Sequence, residues 1–515
     1  MAQETGTAKA IGVVTILTVI SRLFSLWNTQ AYLTHFGTGP EMEMYSFSLS
    51  LPLVIFNGIG TALTVAVIPI FSGYIGKNDE GRAFKFTNNM ITVSFISTLV
   101  LSLIGILVSP VIIYFTRFKY IDFGFGVFAL SVMFPVIIFY GLNYIFQGML
   151  QSCEKFNMPA IVSIPYSVIV IAYVYLLGNR FGVKGLLIAT FIGLSMQALI
   201  LIPPIMKQGY RYKFSFDYKD EDVRKAFKLM GPVVVGTLAY QINTLFGHFL
   251  STKYSTGIVI LTMVFNLTMT TVFSYVYSIT SVYFPRLSVL AANNDIDGFR
   301  NSLSGIIRVL IFSLLPAAVG FSITGKYIID LIYGYKKFTP ADVNSAAVVM
   351  ILYSLGIIGI GLKEVLDRAF YSLKDTKTPM VDGVIVAAVN IAATLILVNF
   401  VGFWGIALGY SISVLVGGFA LLCKMSKKIG GLDFSDIINC FVKVGISCAV
   451  MAAAVWVINS WMAAVIVQGS LFYKAIRLFV PVTAGVIAYG MATLALRVDE
   501  AQKVYNAVKA RIGSL

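Results

Sequence analysis

The side chains of this sequence that could bind a ligand are a few charged residues and amides inside long apolar segments. Arg22 follows Ser21 about midway along the first segment, and Asn28 lies less than two helical turns further on. A charge in apolar surroundings costs so much free energy that it is usually functional or paired. We therefore treat Arg22 as a candidate binding residue, with pairing to a neighbouring helix as the alternative.

A second charged group, Lys363, Glu364, Asp367 and Arg368, occupies two successive helical turns. Glu364 and Arg368 are four residues apart, as are Lys363 and Asp367, so two ion pairs within one helix are available. The group lies near one end of its segment. Two interpretations stay open, a structural clamp and a gate.

Uncharged amides recur in the segments that carry these charges or correspond to them. The candidates are Asn57, Asn243 and Asn266. Amides can line a cavity that hydrogen-bonds a polar ligand such as a sugar, or they can link helices; their concentration in the first, second, seventh and eighth segments favours a shared cavity. Asp382 and Asn390 are candidates for a coupling-ion site, with helix capping as the alternative for Asp382.

Catalytic motifs are lacking. The sequence contains no Walker A loop, no HExxH and no GxSxG. Two histidines and the cysteines at 153, 423, 440 and 448 show no metal-ligand spacing. We expect no enzyme activity and no cofactor, leaving an ion such as sodium or a proton, or the membrane potential, as the possible energy source.

The elements that position these residues follow from composition. Of 515 residues, 58% are hydrophobic and 12% charged, whereas soluble domains carry about 25% charged residues. Apolar runs long enough to cross a bilayer recur throughout, and the first is interpreted as a spanning helix rather than a signal peptide. The sequence predicts an all-α polytopic membrane protein of about fourteen transmembrane helices. They lie near 9–33, 44–75, 86–115, 124–150, 158–178, 184–206, 226–251, 257–285, 300–325, 343–372, 379–400, 403–424, 438–460 and 475–497.

The net charge of +15 orients the chain rather than indicating nucleic acid. Lys and Arg are concentrated in alternate loops, which predicts a multi-pass protein with both termini in the cytoplasm. Three opposite loops weaken the contrast. They contain Arg117 and Lys119; Arg180 and Lys184; and Lys326, Lys336 and Lys337.

The two halves of the chain resemble each other. Phe181-Gly182 precedes Val401-Gly402 by 220 residues, Pro159 precedes Pro379 by the same offset, and Ile68-Pro69 precedes Phe284-Pro285 by 216. Because the offset spans six helices, the halves share one orientation, as in transporters built from parallel repeats. We expect a six-helix bundle at 1–215, a second at 216–430, and two additional helices with a cytoplasmic tail at 431–515.

The segment from Arg368 to Pro379, which includes Asp375, resembles the junction of helices 10 and 11 in the MurJ (MviN) lipid II flippases. Ser21-Arg22-Leu23, Phe36-Gly37 and the run from Leu51 to Pro69 are similar to that family as well, in the same order along the chain. This family belongs to the multidrug/oligosaccharidyl-lipid/polysaccharide exporter superfamily. Glu364, Arg368, Asp375 and Pro379 form the group of gate or signature residues.

The resemblance implies a flippase of the bacterial cytoplasmic membrane. It would move the undecaprenyl-pyrophosphate-linked disaccharide-pentapeptide from the cytoplasmic to the outer leaflet by alternating access, with helices 13 and 14 as a groove for the lipid tail. Membrane lipids and cell-wall synthesis proteins would be its other partners. Arg22 and the acidic Glu43 occupy positions of the family's central cavity.

At other cavity positions this chain departs from the family. Asn28 and Asn266 lie where the resemblance places basic residues, and a third such position falls near Phe56 or Asn57, so amides replace most of the cationic cluster. The alternatives are therefore a flippase for another lipid-linked glycan, such as an exopolysaccharide or teichoic-type precursor, a cation-coupled multidrug exporter, and a scaffold without transport activity.

Overall fold

The computed structural model contains helices and connecting loops throughout its described part, which comprises residues 2–75, 77, 79–153, 155, 157–217, 219–465 and 471–512. Within it, side chains are described except at 2–15, 61, 64–65, 232–233, 235–240, 270, 281–282, 285, 463–465, 471, 507–508 and 510–512. The side chain of Pro285, a residue used in one repeat match, is therefore not described.

Among the described residues, the first half of the chain contains ten α-helices and a 3-10 turn. They are α1 (Ala2–Phe36), α2 (Pro40–Ile75), α3 (Glu80–Tyr114), the turn Arg117–Tyr120, α4 (Phe123–Met133), α5 (Val136–Ser152), α6 (Asn157–Ile161), α7 (Ile164–Leu176), α8 (Gly178–Leu199), α9 (Ile202–Lys207) and α10 (Glu221–Ser251). The second half contains α11 (Gly257–Ala292), α12 (Ile296–Tyr333), α13 (Pro340–Leu355), α14 (Ile357–Ser372), α15 (Lys377–Val401), α16 (Trp404–Lys428), α17 (Phe434–Val465), α18 (Leu471–Ala495) and α19 (Asp499–Ile512).

Eleven segments of described residues are long and apolar enough to cross a membrane, and they coincide with predicted helices 3–6 and 8–14. Helices α1, α2 and α10 occupy the places of predicted helices 1, 2 and 7. The predicted all-α polytopic class is confirmed. Several predicted spans are pairs of helices: the fourth breaks at Phe134–Pro135 and the tenth at Gly356, because proline and glycine interrupt a helix at low cost where packing holds both parts.

The contacts divide the chain into two units. The first comprises 1–259 with 336–338, and the second comprises 260–335 with 339–515. Helix α10, which the sequence repeat assigns to the second bundle, packs on α2 and belongs to the first unit. Repeat boundaries and contact boundaries are different properties, so the division at 215 and 430 remains a prediction about the duplication.

In the first unit, the segment that follows α9 is attached along α3. Tyr210 donates to Asn88 Oδ1 at 2.6 Å, and the Thr92 and Tyr212 hydroxyls are 2.8 Å apart. Asn88 also accepts from the Lys213 amide at 3.2 Å. Because burial raises the pKa of the Tyr210 phenol, this hydroxyl remains a donor at neutral pH. A segment that reads as a polar linker is therefore fixed to a membrane helix.

In the second unit, α17 and α18 pack on each other and on α12. Lys474 of α18 binds α12, with its ammonium 2.9 Å from Asp330 Oδ1 and 2.6 Å from the Gly334 carbonyl. Tyr489 donates to the Phe312 carbonyl at 2.6 Å. The side chains of Lys474 and Tyr489 thus attach α18 to α12 and its C-terminal end, through one carboxylate and two backbone carbonyls.

The similarity between the two halves extends to the backbone at two places. Gly182 has φ 58° and ψ −150°, and Gly402 has φ 63° and ψ −146°. These angles are accessible essentially to glycine alone. The Lys155 amide donates to the Leu150 carbonyl at 2.8 Å, and the Asp375 amide donates to the Phe370 carbonyl at 3.0 Å, again at an offset of 220. Two unusual local geometries therefore recur at the offset found in the sequence.

Candidate functional site

Arg22 lies on an exposed face of α1. The preceding residue, Ser21, is buried and donates to the Ala160 carbonyl of α6 at 2.7 Å. Successive residues of a helix point about 100° apart, so anchoring Ser21 turns Arg22 away from α6. No carboxylate among the described residues lies within 4.0 Å of Arg22. Within the described residues, Arg22 therefore has no ion-pair partner on a neighbouring helix, and its two predicted roles stay predictions.

Asn28 lies on the other side of α1 and is 2% exposed. It is next to the hydroxyl of Tyr166, with which it makes a side-chain hydrogen bond. Its Oδ1 has no hydrogen-bond partner among the described residues. The amide therefore links helices and keeps one acceptor open inside the first unit.

Glu43, in the first turn of α2, is fully buried. Its carboxylate is 2.5 Å from Arg117 Nη2 in the 3-10 turn and accepts the Thr256 amide at 2.5 Å. Ser255 is a further hydrogen-bond partner. One carboxylate thus joins three segments that are distant in sequence, and in this conformation its oxygens are occupied by protein donors.

Asn57 and its neighbours line a groove of about 260 Å³ between α2 and α5. The Tyr144 hydroxyl donates to Asn57 Oδ1 at 3.1 Å, and Tyr140 and Phe56 contribute aromatic walls. Asn57 itself is exposed. The arrangement offers polar groups on an otherwise apolar surface. Asn243 of α10 is elsewhere: it is 8% exposed, and its Oδ1 has no partner in the described part of the chain.

The second unit contains a buried charged cluster on α14 and α15. Lys363 Nζ is 2.9 Å from Asp367 Oδ2 and 3.4 Å from Asp382 Oδ2. Asp382 is fully buried, and neither of its oxygens accepts a well-oriented hydrogen bond from the described residues. Two carboxylates share one ammonium, and the Lys424 side chain of α16 also acts electrostatically on Asp382.

The other predicted gate residues have different surroundings. The pair between Lys363 and Asp367 is formed, but Glu364 and Arg368 are not within ion-pair distance of each other. Arg368 instead lies with its guanidinium carbon 5.4 Å from the centre of the Tyr277 ring of α11. Asn266, also on α11, is exposed.

Asp375 forms the corner between α14 and α15. It accepts the Thr378 amide at 3.0 Å and the Thr378 hydroxyl at 2.9 Å, and the Lys428 ammonium of α16 lies at 2.5 Å. These donors, Lys428 first, lower the pKa of Asp375 to about 2. Pro379 is buried in the first turn that follows. Asn390 lies further along α15 and accepts the Thr394 hydroxyl at 3.0 Å.

Sequence reasoning missed a second charge cluster, around Arg308 of α12, of which only Glu500 is buried. Arg308 lies 3.4 Å from Glu500, 3.6 Å from Asp436 and 3.9 Å from Asp499. Glu500 is 5% exposed, and Cys440 packs beside it. An arginine well inside a predicted span was the available signal. Its partners in α17 and α19 are too distant in sequence to be recognised from local pattern.

Comparison with known proteins decides the family. The protein-family model described as "Lipid II flippase MurJ" matches residues 33–476 of this chain. The chain belongs to the lipid II flippase MurJ family. It is 26% identical over 441 residues to the probable lipid II flippase MurJ of Vibrio cholerae serotype O1, covering 80% of this chain and 81% of that protein.

Solved structures agree on the fold. A structure described as lipid II flippase MurJ in an inward closed conformation has a TM-score of 0.78 at 21% identity, covering 94% of this chain and 99% of that chain. An inward-facing transporter of the multidrug MATE family has a TM-score of 0.66 at 14% identity, covering 82% and 98%. The predicted superfamily fold is therefore confirmed. As a member of a transporter family the chain is not an enzyme.

Proposed function

We propose that this chain is a flippase that carries lipid II, the lipid-linked precursor of peptidoglycan, from the cytoplasmic to the outer leaflet. The observation that carries the proposal is the match to the lipid II flippase family over residues 33–476. The inner membrane is the location typical of the family, and the alternating pattern of basic loops supports an orientation with both termini in the cytoplasm.

Arg22 is the residue that we assign to the pyrophosphate. Its support is physical: an arginine exposed to lipid at mid-membrane depth would be costly, so its exposed face must line a hydrated cavity. A guanidinium suits phosphate because its planar donors bind two oxygens at once. Ser21 fixes the rotation of α1 through its bond to Ala160, and so holds Arg22 in place. A single charge-assisted contact of this kind is worth about 1.5–3 kcal/mol.

The sugars and peptide of the cargo need neutral polar partners. Asn57 and Tyr144 supply an amide and a hydroxyl in the groove between α2 and α5. Exposed Asn266 is a further proposed contact. Asn28 and Asn243 are buried in this conformation and are proposed to meet the cargo at another stage of the transport cycle. Amides distribute hydrogen bonds without adding charge. The family's cavity arginines are thereby replaced by groups that recognise uncharged parts of the cargo, and Arg22 carries the anion recognition.

Glu43 takes a different role in the conformation described here. Its oxygens are used by Arg117 and Thr256, so it holds the ends of α2 and α10 together rather than facing cargo. Release of this contact would open one end of the first unit. We therefore assign Glu43 to a latch of the transport cycle.

Energy coupling is assigned to the cluster on α14 and α15. Asp382 shares the Lys363 ammonium with Asp367, and its oxygens accept no well-oriented hydrogen bond from the described residues. A proton or a sodium ion would compete with Lys363 for these two carboxylates, which makes Asp382 the first candidate for ion coupling and Asn390, two turns further along α15, the second. The membrane potential acting on the same charges is the other source of energy. Cell-wall synthesis proteins are the proposed protein partners.

The experiment is native mass spectrometry of the full-length protein with lipid II and with an undecaprenyl-pyrophosphate-linked polysaccharide precursor. Wild type is compared with Arg22→Ala and with Arg211→Ala, a control at an exposed arginine in the loop after α9. We expect selective binding of lipid II, weakened about 10- to 100-fold by Arg22→Ala only.

If the protein instead prefers the polysaccharide precursor, the assigned cargo changes while the fold and the binding site stay the same. That result would favour the second candidate, suggested by the amides that stand at the family's arginine positions. Equal binding by wild type and Arg22→Ala would remove Arg22 from the site. In cells, depletion of the protein should leave lipid II in the inner leaflet.

A further inference from the structure

A groove of about 790 Å³ lies between α7 and α8 on the first unit. Its walls are almost entirely apolar and include Ile169, Leu176 and Ile192. Leu176 is 80% exposed and Ile192 is 47% exposed. Because both helices are membrane-spanning segments, an exposed apolar groove on them faces hydrocarbon rather than water.

One end of this groove is cationic. Arg180 and Lys184 both line it and both are exposed. Neither has a carboxylate within 4.0 Å among the described residues. The Arg180 guanidinium carbon is 5.3 Å from the centre of the Phe181 ring, which holds it at the rim. A third cation, Lys336, lies 5.8 Å from the centre of the Tyr175 ring at the same end of α7.

The backbone shapes this end of the groove. The Tyr173 hydroxyl donates to the Gly182 carbonyl at 2.7 Å, where α8 departs from helical geometry. Gly185 lets the tyrosine approach, since a Cβ there would lie 2.2 Å from its hydroxyl oxygen. The break in α8 separates Arg180 from Lys184, so the two cations flank the kink instead of stacking on one helical face.

The duplicated half provides an internal comparison. Gly402 repeats the backbone angles of Gly182. At the same offset of 220, however, Phe400 takes the place of Arg180 and Trp404 takes the place of Lys184. The local fold therefore does not require cations at these positions. Arg180 and Lys184 therefore have a reason other than the backbone geometry of the kink.

We propose that this groove binds one anionic phospholipid, with its phosphate between Arg180 and Lys184 and an acyl chain along α7 and α8. The choice of occupant rests on charge complementarity with a membrane lipid. From Ile169 to Leu176 the helix rises about 10 Å, comparable to the roughly 15 Å of hydrocarbon in one leaflet. The leaflet rests on the proposed function: in that orientation this end faces the outer leaflet.

The test is native mass spectrometry of the delipidated full-length protein, titrated with phosphatidylglycerol or phosphatidylcholine of identical acyl chains. Two cations at the membrane surface favour an anionic lipid by about five-fold each, hence about 25-fold together. We expect this preference in wild type and its loss in Arg180→Gln/Lys184→Gln. The control Lys225→Gln/Lys228→Gln removes two exposed cations of α10 and should keep the preference. Ala172→Trp, which fills the groove, should weaken both lipids equally.

Equal binding of the two lipids by wild type, or a preference that survives in Arg180→Gln/Lys184→Gln, would overturn the proposal. Displacement of phosphatidylglycerol by equimolar undecaprenyl phosphate would overturn the phospholipid as occupant and assign the groove to the carrier lipid. Lipid II binding, followed in the same samples, separates this site from the proposed function. Arg22→Ala should lose lipid II and keep phosphatidylglycerol, whereas a chain that does not bind lipid II at all would still show the lipid preference.

Discussion

Glu43 offers the sharpest test of how the first unit is held together. Glu43→Ala removes a carboxylate that is fully buried and leaves the Thr256 amide and Arg117 without their acceptor. Breaking a buried ion pair by removing one partner costs about 3–5 kcal/mol. The Arg117 side chain is 25% exposed and can partly rehydrate, so we expect about 3 kcal/mol. At about 2–4 °C per kcal/mol this lowers Tm by about 6–12 °C.

The assay is thermal unfolding of the purified protein in detergent, with a double-mutant cycle. Glu43→Gln keeps an acceptor for Thr256 and should cost about half as much as Glu43→Ala. Arg117→Gln alone leaves a buried charge uncompensated, so Glu43→Gln/Arg117→Gln should be more stable than Arg117→Gln. Glu41→Gln, an exposed carboxylate in the same helical turn, is the control. If Glu43→Gln unfolds like Glu41→Gln, or if the double variant is the least stable, the latch is refuted.

Three further predictions follow from local geometry. Thr256 has φ 62°, which is unfavourable for a β-branched residue. Thr256→Gly should therefore keep or raise Tm, whereas Thr252→Gly, at φ −65°, should lower it. A lower Tm for Thr256→Gly would contradict backbone strain at this position. The pKa of Asp375 is lowered to about 2, so its stabilising contribution is complete above about pH 4 and is lost as pH falls through 2. The difference in Tm between wild type and Asp375→Asn should therefore narrow between pH 4 and pH 2. A difference that stays constant over this range would exclude a stabilising ion pair with Lys428. Arg308→Gln should free α19, seen as at least about ten-fold faster hydrogen exchange at 499–506 because buried Glu500 loses its counterion; Lys503→Gln, exposed on the same helix, should have no such effect.

Local sequence properties were sufficient for the fold. Hydrophobic length identified the spans, and the glycines at 182 and 402 marked the duplication because their backbone angles exclude other residues. Span interiors were less accessible. Predicted helices 4 and 10 each consist of two helices, since a membrane segment remains apolar across a break and hydropathy does not detect it.

The candidate site could be predicted only in part. Arg22 and Asp382 were recognised because charge is rare in apolar segments, and Glu43 was recognised through the family resemblance. Their partners were not, because Arg117 is 74 residues and Thr256 is 213 residues from Glu43. Within one helix, spacing was informative but incomplete: Lys363 pairs with Asp367 as expected, yet it also reaches Asp382 on α15. Tertiary contacts choose among the pairs that spacing permits.

The cations that weakened the charge asymmetry of the loops are instructive for the same reason. Arg117 binds Glu43, the Lys119 ammonium lies 3.7 Å from the centre of the Tyr114 ring, and Arg180 and Lys184 flank the apolar groove. The positive-inside rule describes cations that remain in water and interact with the membrane as a whole. A cation that makes a specific contact has a separate reason for its place. Exceptions to the rule are therefore positions at which to search for binding partners, and in this chain Arg180 and Lys184 are the pair for which a lipid phosphate fits that requirement.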